Sequence, residues 1–170
     1  MLSAAMESAL NRPVWSALTT GDRRFAQGGP LALRFPPDIA PFGATIEDSP
    51  EAFAALGALI PQDGRVALVS VDKLKPFPGL EIVREEPIIQ MVADGETPAP
   101  NGPAPIVLGP SYVPEMIRLA QQTNPGPFGP RTHELHVFTD NVSAIALYER
   151  LGFAKRKTLR LTVFSRAPGA

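Results

Sequence analysis

Residues 136–164 read HVFTDNVSAIALYERLGFAKRKTLRLTVF. Leu135 to Phe138 is a short apolar run of strand length. Asp140 or Asn141 then supplies the side-chain acceptor that a helix N-terminus needs. In NVSAIALYERL, residues Ile145, Leu147, Tyr148 and Leu151 form an apolar stripe at helical spacing. Gly152 stands where a left-handed C-terminal cap belongs. From Phe153 to Ser165 the residues alternate, which predicts a half-buried strand with Leu159, Leu161 and Val163 facing the core. The segment therefore predicts strand, capped helix, strand.

Moving outward, glycine and proline punctuate the chain. Gln27 to Gly43 holds four prolines and three glycines, and TNPGPFGPR covers Thr123 to Arg131. The stretch GETPAPNGPAP, Gly95 to Pro105, reads as a linker. It predicts an N-terminal region at 1–95, a linker at 96–105 and a C-terminal domain at 106–170. In the first part, Ser49-Pro50 before EAFAALGALI predicts an N-cap and first-turn proline, with Pro61 as the stop. Val66 to Val71 predicts a buried strand. Glu81–Val83 and Pro87–Val92 predict two strands, or one bent around Pro87. In the second part Ile106–Leu108 predicts a short strand. Ser111 precedes a helix, VPEMIRLAQQ, with Met116, Leu119 and Ala120 at helical spacing and Glu115 in the first turn.

Composition sets bounds on function. The chain's 170 residues suffice for a core without cross-links, and it contains no cysteine. Disulfides, thiolate zinc sites and cysteine nucleophiles are excluded, and a reducing cytoplasm suits such a chain. The net charge of −1 gives no global field for nucleic acid or an anionic membrane. Proline at 20 of 170 is more than twice the usual share of about 5%, which predicts a folded chain rich in loops. The longest uncharged run, Thr97 to Pro114, carries six prolines and cannot be a membrane helix. No targeting segment is evident at Met1 to Leu10.

Asn141, Ala144, Leu147, Tyr148, Glu149, Leu151, Gly152 and Phe153 give this segment a family likeness. It resembles the C-terminal motif of the GNAT superfamily of N-acetyltransferases. The TNPGPFGPRTHEL segment is similar to the acceptor-side loop of a bacterial GNAT subgroup with an N-terminal extension. The resemblance implies an α/β fold with a mixed, mostly antiparallel sheet. It also implies acetyl-CoA as co-substrate and a small-molecule or peptide amine as acceptor, with no metal. By the same resemblance, Tyr148 would be the catalytic acid that protonates the departing thiolate. Asn141, Ala144, Leu147 and Tyr148 would line the coenzyme arm. Arg131, Thr132 and Glu134 would lie on the substrate side. A phenol's pKa lies near 10 and a thiol's near 8.5, so such an acid works by position rather than by strength.

The family's other motif, [RQ]-x-x-G-x-[GA] opening a helix, occurs nowhere in the sequence. Such a loop would cradle the coenzyme pyrophosphate with backbone amides. Leu135 runs straight into His136, as though a block of about 60–75 residues were missing there. An interrupted sheet of this kind predicts exposed edges and self-association, with a homodimer as one form. The reading is an N-acetyltransferase acting by direct attack, against a non-catalytic remnant that binds a partner or itself.

Other constellations carry less. His133-Glu134-Leu135-His136 has its histidines at i, i+3, not the i, i+4 of a zincin helix. No G-x-S-x-G elbow or Walker-type glycine pattern is present. Arg150, Lys155, Arg156, Lys157, Arg160 and Arg166 read as a solvated strand face, with attraction for an anion as the alternative. Aromatics do not interleave with these cations, which argues against nucleic acid. Glu134 and Glu149 are candidate general bases for the acceptor amine.

Overall fold

A computed structural model describes residues 3–93, 110–123, 131 and 153–168. The chain opens with two short helices, α1 (Ala4–Asn11) and α2 (Pro13–Thr19). Ser3 caps α1 by accepting from the Met6 N–H at 3.2 Å. The break at Arg12 has a local cause. A residue before proline is pushed out of helical geometry, and Arg12 sits at φ −133°, ψ 58° ahead of Pro13. Its guanidinium donates to the Thr45 and Ile46 carbonyls, tying this corner to the next layer.

A single 3-10 turn, Arg23–Phe25, leads to a small antiparallel sheet of β1 (Gln27–Gly28), β2 (Ala32–Arg34) and β3 (Gly43–Thr45). Gly28 adopts φ +128°, open to glycine alone at low cost. Gly43 is required by a close approach, since a Cβ there would lie 2.7 Å from Val66 Cγ2. Val14, Leu18, Phe25, Phe35 and Ile39 form the core beneath this sheet.

The expected helix after Ser49 is α3 (Pro50–Leu59), and the Ser49 hydroxyl accepts from the Ala52 N–H. Ala52, Phe53 and Leu56 are buried on it at i, i+1, i+4. Phe53 and Leu56 pack with Ala32 of β2 and with residues of a second sheet, made of β4 (Arg65–Ser70), β5 (Leu80–Ala93) and β6 (Phe153–Arg166) in the order β4-β6-β5, antiparallel throughout. Phe53 anchors this core, stacking on Phe77 at 3.5 Å between ring centroids and meeting Phe164 edge-on at 5.7 Å. The two sheets are linked by a parallel bridge between Phe42 and Ala67.

The segments 81–83 and 87–92 form one strand. Among the described residues β5 has β6 as its one neighbouring strand, so Pro87, which lacks an N–H, interrupts no second ladder there. Register shifts at Val83 in β5 and at Arg156 in β6 absorb the bend.

The expected inward face of β6 is corrected. Leu159 is buried, but Leu161 and Val163 are only half-buried. Thr162 and Phe164, on the opposite face, are fully buried, and Phe164 meets Phe53 of α3. The alternating segment is a strand, but both faces of this central strand are covered. The sequence helix after Ser111 is α4 (Val113–Thr123), entered through a 3-10 turn at Pro110–Tyr112. Val113, Met116, Ile117 and Ala120 are half-buried, whereas Leu119 is 56% exposed rather than part of the inward stripe.

The linker at 96–105, the strand at 106–108, and the strand and helix between Leu135 and Leu151 lie outside the described residues. The central strand β6 comes from the C-terminal part and its neighbours β4 and β5 from the N-terminal part.

Candidate functional site

The C-terminal motif ends on β6. Its last residue, Phe153, pairs with Ala93 at the far end of β5. The described strands therefore hold the end of the motif at the edge where β5 also finishes. Asn141, Ala144, Leu147, Tyr148, Glu149, Thr132 and Glu134 lie outside the described residues, as do His133, His136 and Arg150.

Arg131 is the substrate-side candidate that the structure places. It meets Asp38 twice. Its backbone N–H donates to the Asp38 carbonyl at 3.1 Å. Its guanidinium Nη1 donates to Asp38 Oδ2, also at 3.1 Å. Both side chains are about half exposed, so the ion pair alone contributes only about 0.2–1 kcal/mol. Asp38 was not singled out in the sequence, where an acid after Pro36-Pro37 reads as a plain turn residue.

The cation cluster is not a solvated face throughout. Arg156 occupies the β6 bulge with its side chain 7% exposed and pairs with Glu7 at 3.2 Å. It also donates to Gln90 Oε1 at 2.6 Å and Asn11 Oδ1 at 2.9 Å. Lys157 donates to the same Asn11 oxygen at 3.0 Å. These contacts fasten α1 to the sheet. Arg160 lies 3.5 Å from Glu85, which also meets Lys73 at 3.4 Å. The cations with these partners serve internal pairing, and the burial of Arg156 follows from the bulge that turns it toward α1.

Arg34 is a further buried cation, 3% exposed. It donates to the Leu59 carbonyl at 2.9 Å and the Phe35 carbonyl at 3.0 Å. Leu59 ends α3, where orphan carbonyls and the helix dipole favour a positive charge. Burial lowers the Arg34 pKa from its ordinary value. The residue stays charged and closes the helix.

A cleft opens between the α1–α2 corner, β3 and the end of β4, with Asn11, Arg12, Trp15, Thr45, Asp48 and Asp72 in its wall. Arg12 lies 5.8 Å from the Trp15 ring centre and is committed to two carbonyls.

Among the described residues no helix start offers a pyrophosphate cradle. Pro13, Pro50 and Pro114 each remove a donor from the first turns of α2, α3 and α4. Ser3 and Ser49 already occupy N–H groups of α1 and α3. No group of three or more metal-ligating side chains exists among the described residues. None of their helices is long and apolar enough to cross a membrane.

No family model and no curated protein sequence matches the chain. A solved structure does. It is the crystal structure of a protein from Novosphingobium aromaticivorans assigned to the GNAT family of acetyltransferases, 26% identical, with a TM-score of 0.78. The match covers 93% of this chain and 98% of that one. The chain therefore has the GNAT fold, and the likeness read in its C-terminal motif extends over most of its length.

Proposed function

We propose that the chain is an N-acetyltransferase of the GNAT kind, working in the cytoplasm and moving an acetyl group from acetyl-CoA directly to an acceptor amine. The structural match over 93% of the chain carries this reading. The motif at 141–153 supports it, because it holds the residue types such a reaction uses. Acetyl-CoA supplies an activated thioester. Tyr148 holds the proton destined for the departing sulfur, and Asn141 orients the coenzyme arm. By the family likeness, Arg131, Thr132 and Glu134 are assigned to the acceptor side. The absence of cysteine agrees with direct attack by the amine, because no thiol is available for a covalent acyl-enzyme.

The test is release of free thiol from acetyl-CoA in the presence of a panel of primary amines. Amine-dependent release is expected. Tyr148→Phe should lower kcat by about 100-fold or more while leaving the acetyl-CoA Kd within a factor of about two. Equal turnover in the variant would remove Tyr148 as the acid. No amine-dependent release at any coenzyme concentration would contradict the proposed activity.

A further inference from the structure

Asp38 is presented by a stiff turn. Pro36 and Pro37 fix two consecutive φ angles, and the Ile39 and Ala40 N–H groups both donate to the Pro36 carbonyl at 3.0 Å. Ile39 and Ala40 are themselves buried in the N-terminal core, 0% and 5% exposed. The backbone that carries the Asp38 carboxylate is thus held from both sides. Arg131 lies 93 positions away and engages Asp38 through both its backbone and its guanidinium. Two bonds between the same two residues set orientation as well as distance.

We propose that Asp38 is a positioning residue for Arg131, holding its backbone and its guanidinium against the N-terminal core in the orientation that an acceptor would meet. This rests on the reading that places Arg131 beside the acceptor. Asp38 acts through Arg131 and does not touch the reacting atoms.

Trypsin reports this contact without requiring catalysis. Cleavage between Arg131 and Thr132 requires the guanidinium to leave Asp38 and enter the protease. When opening is fast, the rate follows the population of the released form. Asp38→Asn keeps the backbone carbonyl and the side-chain shape but removes the charge. It should speed cleavage at Arg131 by up to about fivefold, the factor an exposed ion pair of this kind supports. Asp38→Glu should restore the slow rate. Cleavage after Arg118, exposed on α4, should be the same in all three proteins and controls for general loosening. With an active amine, Asp38→Asn should raise the acceptor KM by a similar factor, leaving kcat and the acetyl-CoA KM unmoved.

An unchanged rate at Arg131 in Asp38→Asn overturns the positioning role, whatever the activity. Faster cleavage with an unmoved acceptor KM overturns the acceptor-side placement of Arg131 and with it the proposal. If the wild-type chain transfers no acetyl group, the proposed activity fails, while the cleavage ratio still decides whether Asp38 holds Arg131.

Discussion

α3 and α4 are written with similar sequence devices but end in different surroundings. Each has a serine just upstream (Ser49 as the cap of α3, Ser111 in the turn before α4), a first-turn proline, an early glutamate and apolar residues at helical intervals. Yet α3 buries Ala52, Phe53 and Leu56 completely, while no described side chain of α4 is buried. The difference lies in what each helix meets. α3 lies on a sheet whose strands β4, β5 and β6 present Val66, Leu68, Leu80 and Phe164 to it. α4 is followed by the Gly/Pro-rich stretch that leads to the motif, and its stripe is only half-covered. Intrinsic propensity starts both helices, but packing determines how much each one contributes to stability.

Substitutions at these two helices should separate accordingly. Phe53→Ala removes a ring that touches both Phe77 and Phe164 in the core. It should cost about 3–5 kcal/mol, a fall in Tm of roughly 6–20 °C for a domain of this size. A loss below about 1 kcal/mol in a denaturant titration would contradict the central place given to α3.

The polar seam between α1 and the sheet should come next. Arg156→Ala removes the donor to Gln90 Oε1 in a partly buried place and leaves Asn11 Oδ1 with Lys157 alone. The expected cost is about 1–3 kcal/mol. Faster amide exchange confined to α1 would locate the loss. An unchanged Tm would return Arg156 to the solvated face that the sequence suggested.

Thr162 offers an effect of opposite sign. Its hydroxyl is buried in β6 and has no hydrogen-bond partner among the described residues. Thr162→Val should stabilise the chain by about 1 kcal/mol, because an unsatisfied polar atom is replaced by a methyl group. A destabilised variant would show that the hydroxyl has a partner after all. The smallest effect is expected at α4, where Leu119→Ala should change stability by no more than about 0.5 kcal/mol. A loss as large as that of Phe53→Ala would erase the contrast between the helices.

What the sequence revealed follows the length of each signal. α3 was legible because Ser49, Pro50, a long apolar run and Pro61 all agree. β4 and β6 were legible as an apolar run and a long alternation. β1, β2 and β3 were not, because strands of two or three residues between glycines and prolines show no period. The inward face of β6 was misassigned because a central strand covered on both sides does not display its core face by alternation alone. The family likeness was carried by residues 141–153, a local motif readable in one dimension. The Asp38–Arg131 contact was not readable, because it joins positions 93 apart through an acid that resembles any turn residue.

The most direct test of the account is a thermal melt of the 170-residue chain with acetyl-CoA raised stepwise. At about 100 times its Kd, a ligand that binds only the folded state adds about 2.7 kcal/mol. For a domain of this size that is a rise in Tm of roughly 5–10 °C. The account predicts a cooperative transition that climbs with coenzyme concentration by this amount. A cooperative transition that stays fixed at every concentration would contradict it, leaving a GNAT fold without the coenzyme chemistry.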